Sequence, residues 1–147
     1  MRRRWRRIAR LSVDGVFDFD GLLRADIVPD SVLRAAADVA VDAQKKTARG
    51  MLKGKYATGK LADSISADRV RRTKDGKSVQ VVFKGTRTRG KNKKSTTRNA
   101  EIAFVNEFGK RGQPPRPFIQ RANEQCKDAA IEAAAKEYDK WLESMGF

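Results

Sequence analysis

Apolar residues recur at helical spacing in two stretches of the chain. After Pro29, the residues Val32, Leu33, Ala36, Val39, Ala40 and Ala43 fall on one helical face. Asp30 or Ser31 stands where an N-cap belongs, and Gly50 stands where such a helix stops. The second stretch opens near Pro117, a favoured residue at a first helical position, and runs towards Met145. Its stripe is Phe118, Ala122, Cys126, Ala129, Ala133, Tyr138, Trp141, Leu142 and Met145. Between the two helices the period changes to two. Val79, Val81 and Phe83 alternate with Gln80, Val82 and Lys84, and Ile102 and Phe104 alternate with Ala103 and Val105, which predicts strands. A third extended piece runs from Ser64 to Arg72. Lys74-Asp75-Gly76-Lys77 separates it from the Val79 strand, and the Asp-Gly pair signals a hairpin. Val13 to Phe19 is a candidate edge strand. These elements predict an α+β fold: a small antiparallel sheet of three or four strands packed against two helices, Asp30 to Arg49 and Pro117 to Met145, which cover one face. Residues 29–147 form the single domain and residues 1–28 a basic N-terminal arm.

Length and charge sharpen this picture. A chain of 147 residues makes one domain with a modest core. Its 33 basic residues against 18 acidic ones give a net charge of +15, which attracts polyanions such as nucleic acid or acidic protein surfaces. The charge is gathered in two places. Arg2, Arg3, Arg4, Arg6, Arg7 and Arg10 crowd around Trp5 at the start of the chain. Lys84, Arg87, Arg89, Lys91, Lys93, Lys94 and Arg98 succeed one another with no acid between them. That second segment has no apolar surface to bury, so it reads as a long basic loop, disordered from Gly85 to Asn99 in the free subunit. The basic start resembles the first part of a signal peptide, but Ser12, Asp14, Gly15 and Asp18 interrupt the stretch from Leu11 to Phe19, and no membrane-spanning run appears. A membrane is therefore not an expected partner. The lone Cys126 cannot form an internal disulfide, which fits a reducing compartment.

Catalytic chemistry finds little to work with. The chain has no histidine, the commonest general base and metal ligand at neutral pH. Cys126 lies on an apolar stripe with no histidine to activate it, so it reads as a core thiol. Glu101 and Glu107, placed on one strand, would stand roughly 20 Å apart, too far to share a substrate bond. Asp14, Asp18 and Asp20 lack the flanking pattern of a calcium loop, and Gly109 and Gly112 lack the spacing of a phosphate loop. The expectation is a protein with no catalytic, metal or cofactor site, and no enzyme.

One composite stretch carries more information. Ala100-Glu101-Ile102-Ala103-Phe104-Val105-Asn106-Glu107-Phe108-Gly109 is followed by Gln113-Pro114-Pro115-Arg116-Pro117-Phe118-Ile119. A strand ending in Glu-Phe-Gly, a stiff Pro-rich turn and a long helix opening with Pro-Phe resemble the head-tail joining proteins of tailed bacteriophages, also called neck or tail-completion proteins. Thr58-Gly59-Lys60-Leu61-Ala62-Asp63-Ser64-Ile65 is similar to that family's Thr-Gly-x-Leu-x-x-Ser-Ile segment. The resemblance spans roughly Val32 to Leu142. The chain departs from the family where Phe104-Val105-Asn106 replaces a Tyr-Ala and Lys110 replaces a Thr, and its basic loop and arginine arm are long for the family.

The resemblance implies a structural subunit of the connector that joins the portal and adaptor complex to the tail and surrounds the DNA channel. The partners it implies are copies of the same chain in a ring, portal, adaptor or head-closure proteins on one side, tail terminator or tail tube proteins on the other, and the genome DNA passing through. The location it implies is the virion, at the head-tail interface, after assembly in the host cytoplasm. Gly109 and the three prolines would hold Phe108 and Phe118 in fixed directions, as core residues or as subunit contacts. Glu107 reads as a solvated carboxylate or as a partner for Arg116 or for a neighbouring subunit. The expected interface is Glu107, Phe108, Gly109, Arg116, Pro117 and Phe118. The arm (Arg2, Arg3, Arg4, Trp5, Arg6, Arg7) and the loop (Arg87, Arg89, Lys91, Lys93, Lys94) are expected to reach acidic surfaces of adjacent ring proteins, since a sticky lumen would slow DNA exit. The competing reading is a monomeric basic nucleic-acid-binding protein. Against it, Phe83, Phe104, Tyr138 and Trp141 fall at core periodicities and do not interleave with the basic blocks as a stacking platform would.

Overall fold

The computed structural model describes residues 28–54, 59–74, 76–89 and 95–146. The arginine arm and the Val13 to Phe19 segment lie outside them.

The first helix among the described residues, α1, is Asp30–Met51. Its alanine-rich sequence favours helix intrinsically; Val32, Leu33, Ala36 and Ala40 are buried as expected, Val39 and Ala43 only partly, and Ala37 and Val41 join the buried face. Its ends differ from expectation. Pro29 is the N-cap, and neither Asp30 nor Ser31 caps with its side chain. Asp30 is instead the first helical residue, where its charge favours the helix dipole, and its carboxylate accepts from Lys77 Nζ at 2.9 Å. That contact holds the Asp30 carboxyl below its usual range. Gly50 does not stop the helix. It lies in the last turn with nothing within 4 Å of a would-be side chain, and Leu52 closes the end by donating to Ala48 O.

A short turn, α2 (Lys60–Asp63), precedes the six short strands found among the described residues: β1 Ile65–Ala67, β2 Arg71–Thr73, β3 Gly76–Ser78, β4 Val81–Phe83, β5 Thr86–Arg89 and β6 Ser95–Arg98. They form three separate antiparallel pairs, β1 with β4, β2 with β3 and β5 with β6, in place of the single sheet expected. The first two pairs are parts of one interrupted hairpin, turning where the Asp-Gly signal lies. The register runs from Ile65↔Phe83 to Ala67↔Val81 and resumes at Arg71↔Ser78, so three residues, 68–70, oppose two, 79–80. The extra residue is a bulge, bridged by a hydrogen bond from Asp68 N to Gln80 O at 2.7 Å. Val79, Val81 and Phe83 are buried, as their alternation predicts, although Val79 itself precedes the strand.

The region after Phe83 departs from expectation twice. The segment from Gly85 to Asn99, expected to be a disordered loop, contains β5 and β6, paired from Thr86↔Arg98 to Arg89↔Ser95. β-branched threonines favour extended backbone, and the ladder satisfies that backbone without a core. Residues 99–108, which include the expected strand Ile102 to Val105, form a helix, α3 (Asn99–Phe108). Its buried residues Asn99, Ala103, Asn106 and Glu107 keep helical spacing. Glu101 and Glu107 are thus not strand neighbours: Glu101 faces solvent and Glu107 is buried.

The last helix, α4, is Phe118–Ser144, with Pro117 as its N-cap and not its first residue. Phe118, Ala122 and Cys126 are buried as expected, but the stripe then continues through Ala130 and Ala134, while Ala129 and Met145 face solvent. Spacing of four throughout traces one ridge against α1. Val32 and Ala36 near the start of α1 pack with Ala130, Ala134 and Tyr138 late in α4, and Gln44 Nε2 donates to Asn123 Oδ1 at 2.9 Å. The two long helices therefore run antiparallel. The largest buried cluster joins Val41, Leu61, Ile65, Val81, Phe83, Phe118 and Cys126, with Phe83 and Phe118 edge to face at 6.0 Å. Burial pushes the Cys126 thiol up, away from thiolate chemistry.

Candidate functional site at the corner between α3 and α4

The Glu-Phe-Gly sequence ends α3, and nine residues later α4 begins. Gly109 makes the corner possible. It closes α3 by donating to Val105 O at 2.8 Å and takes φ of 74°. A Cβ there would lie 2.8 Å from both Gln113 O and Pro115 N, so conformation and space both demand glycine. The chain then makes a tight turn in which Lys110 and Gln113 exchange backbone hydrogen bonds at 3.0 and 2.9 Å. Pro114 and Pro115 carry it along the surface to Arg116.

Polar side chains brace the two sides of this corner. Arg116 N donates to Asn106 O at 2.6 Å, and the Arg116 guanidinium donates to Asn106 Oδ1 at 3.0 Å. Asn106 Nδ2 donates in turn to Ile102 O. Glu107, only 6% exposed, turns its carboxylate onto the start of α4: Ile119 N donates to Oε2 at 2.9 Å and Gln120 N to Oε1 at 3.0 Å. Two of the four orphan N–H groups of α4 are met by a negative charge at the positive end of the helix dipole. Burial pushes the Glu107 carboxyl above its ordinary value, against the opposite pull of the two N–H groups.

Glu107 is therefore neither solvated nor paired with Arg116, whose partner is Asn106. The reason is geometric: with residues 99–108 helical, Asn106 and Glu107 both turn inward, and the carboxylate meets the nearest unsatisfied donors. Phe118 is also internal, fully buried against Phe83. Phe108 is its opposite. It is 56% exposed, with the Phe104 ring tilted against it at 5.0 Å. Pro114, Pro115 and Pro117 are exposed, and Arg116 is half-buried. A shallow depression beside this aromatic pair is lined by Phe108, Lys110, Gln113 and the two prolines. A hollow of about 320 Å³ shares Lys110 and Gln113 with it and is otherwise lined by Thr97, Glu101, Ile102, Val105 and Asn106.

The structure thus gathers the six expected interface residues at one corner but divides them. Phe108, Pro117 and part of Arg116 face outward, while Glu107, Gly109 and Phe118 hold the corner in shape. Sequence reading missed Asn106 and Phe104. Their spacing to Ile102 and Phe108, four residues in each case, is the helical signal that could have found them.

Among the basic residues, Arg87 is half-buried, and its Nε donates to Asn99 Oδ1 at 3.1 Å. Arg89 is the last residue of β5. Lys91, Lys93 and Lys94, like Arg2, Arg3, Arg4, Trp5, Arg6 and Arg7, lie outside the described residues. Among the described residues no helix is long and apolar enough to cross a membrane.

No curated protein and no solved structure matches the chain. A family model does, under the description "Bacteriophage HK97-gp10, putative tail-component", over residues 23–107. The matched region runs through α1, the interrupted hairpin, the β5–β6 pair and α3 as far as Glu107, more than half of the chain. The protein belongs to the HK97-gp10-like family of bacteriophage tail components.

Proposed function

We propose that this tail component is a non-enzymatic subunit of the head-tail connector: a ring of identical chains that takes the portal, adaptor or head-closure proteins on one side and the tail terminator or tube on the other, around the DNA channel. The observation that carries this reading is the exposed Phe108, tilted against Phe104 at a corner that Gly109, Asn106, Arg116 and Glu107 brace from within. A large aromatic side chain on a rigid mount costs little entropy to bury against a partner and serves well as an interface anchor. The family membership supplies the setting, a phage tail.

The test has two parts. Particles imaged at the neck, with the protein carrying a bulky label, should show density at the junction of head and tail. Phe108→Ser should lower the amount of protein retained on capsids about tenfold or more, which matches a hot spot of about 1.4 kcal/mol or above, while the thermal midpoint of the isolated subunit stays within a few degrees. Absence of the label from the neck, or full retention of the variant, overturns the reading.

A further inference from the structure

The β5–β6 ribbon stands apart from the rest of the molecule in composition. None of its described side chains belongs to a hydrophobic cluster. Directly opposed residues of an antiparallel pair share a face, so the register puts Thr86, Thr88, Thr96 and Arg98 on one face and Arg87 with Thr97 on the other. The four residues of the first face are all exposed, as is Lys84 just before the ribbon. From Lys84 to Arg98 the sequence has seven basic residues, no acidic one and no aromatic or large apolar one.

The ribbon is also firmly mounted. Asn99 N donates to Gly85 O at 3.0 Å, and Asn99 Nδ2 donates to Lys84 O at 2.8 Å, which ties the two strands together at their root. Arg87 is fastened to the same asparagine. Gly85, at φ of 87°, passes close enough that a Cβ would touch Asn99 Nδ2 at 3.4 Å. β6 then runs into α3 with no linker. The described strands of the ribbon are thus tied at their root to the helix that carries the Phe108 corner.

A protein-binding surface ordinarily has an apolar or aromatic centre inside a polar rim. This ribbon has no such centre. Guanidinium, ammonium and hydroxyl groups are the side chains that contact phosphate oxygens, and a two-stranded ribbon is of a size that the roughly 12 Å major groove admits. We infer that the β5–β6 ribbon is a nucleic-acid-binding element that holds the phosphate backbone of a DNA duplex without reading its sequence. Contacts of this kind slide along the duplex, so a grip on DNA and the passage of DNA are compatible, against the expectation from the sequence that this basic segment would avoid DNA and reach acidic proteins. The inference deepens the connector reading by naming the ribbon's partner, but its test uses the isolated chain and fails or succeeds whether or not the chain forms a ring.

The experiment is a titration of the full chain into a fluorescent duplex of about 20 base pairs, tracked by anisotropy between about 50 and 200 mM salt. Lys84→Gln combined with Arg98→Gln should weaken binding roughly tenfold or more near 100 mM salt. It should also make the slope of log affinity against log salt shallower by about 1–2, as expected for two lost phosphate contacts. Lys84→Arg with Arg98→Lys should keep both quantities. Thr88→Glu, which places a negative charge on the exposed face without touching either basic residue, should weaken binding as well and serves if the double variant melts early. An unchanged affinity and slope in the neutralised variants overturns the inference. So does displacement of the duplex by polyglutamate at equal concentration of negative charge, which would assign the ribbon to an acidic protein surface.

Discussion

The corner between α3 and α4 and the β5–β6 ribbon both present side chains to solvent, and they do so by opposite means. At the corner a large aromatic, Phe108, faces out beside exposed prolines and the charged Lys110 and Arg111, and the support is polar: Asn106, Arg116 and Glu107 knit the backbone behind it. In the ribbon the outward residues are charged or hydroxylic, and the support is the backbone ladder with one asparagine at its root. The corner ties α3 to the start of α4, whose Phe118 lies in the largest buried cluster. The ribbon's described side chains belong to no such cluster. Substitutions at the corner should therefore be felt by the whole domain, and substitutions in the ribbon should be felt locally.

The sharpest way to break this contrast is at Gly109. Alanine there adds a Cβ 2.8 Å from two backbone atoms at a positive φ, and the strain should cost roughly 2–3 kcal/mol. Denaturant unfolding would measure it, and a cost below about 1 kcal/mol would mean that the corner yields where it is described as rigid.

Glu107 gives a smaller effect with a sign of its own. Glu107→Ala removes the cap of α4 and should cost about 1–2 kcal/mol. Glu107→Gln keeps one acceptor and removes the charge. Because burial raises the folded-state pKa of this carboxyl, the folded protein holds the proton more tightly than the unfolded chain does. The stability this contributes is fully present below the unfolded value and is lost as pH rises through the folded one. The wild type should thus lose stability relative to Glu107→Gln as pH climbs from about 4 towards neutrality. A difference that stays flat across this range, or grows in favour of the wild type, would show that the two N–H groups outweigh burial.

The smallest effect is expected in the ribbon. Arg98→Gln is an exposed change outside the core and should move unfolding stability by no more than about 0.5 kcal/mol. A larger loss would place the ribbon in the cooperative unit of the domain and remove the distinction between the two regions.

The same contrast governs how much of the molecule is legible in its sequence. α1 and α4 are long enough for their period to be unambiguous, and Val79, Val81 and Phe83 announce a buried face whichever strand partner they find. Ile102-Ala103-Phe104-Val105 is a run of four apolar residues, too short for its period to separate strand from helix. The wider spacing of Asn99, Ala103, Asn106 and Glu107 distinguishes the two, but two of these four are polar amides and the last is an acid. Strands of three or four residues leave pairing to distant contacts, so one interrupted hairpin and a separate ribbon resemble a single sheet. Glu107 escapes sequence reading because a helix cap is sought one to three residues before a helix begins, and this one comes from 12 residues before Ile119.

The seam between α1 and α4 also bears on how the domain takes a load. Alanines at Ala36, Ala130 and Ala134 bring the helices close, and the Gln44–Asn123 hydrogen bond crosses that seam. Gln44 is 1% exposed, so its amide depends on partners inside the protein. Sliding one helix past the other by a turn, about 5.4 Å, would break the bond and leave the Gln44 Nε2 donor buried without an acceptor, at roughly 1–3 kcal/mol. Against a load that slides one helix past the other, the seam is thus held in register by this polar notch as well as by its alanine ridge.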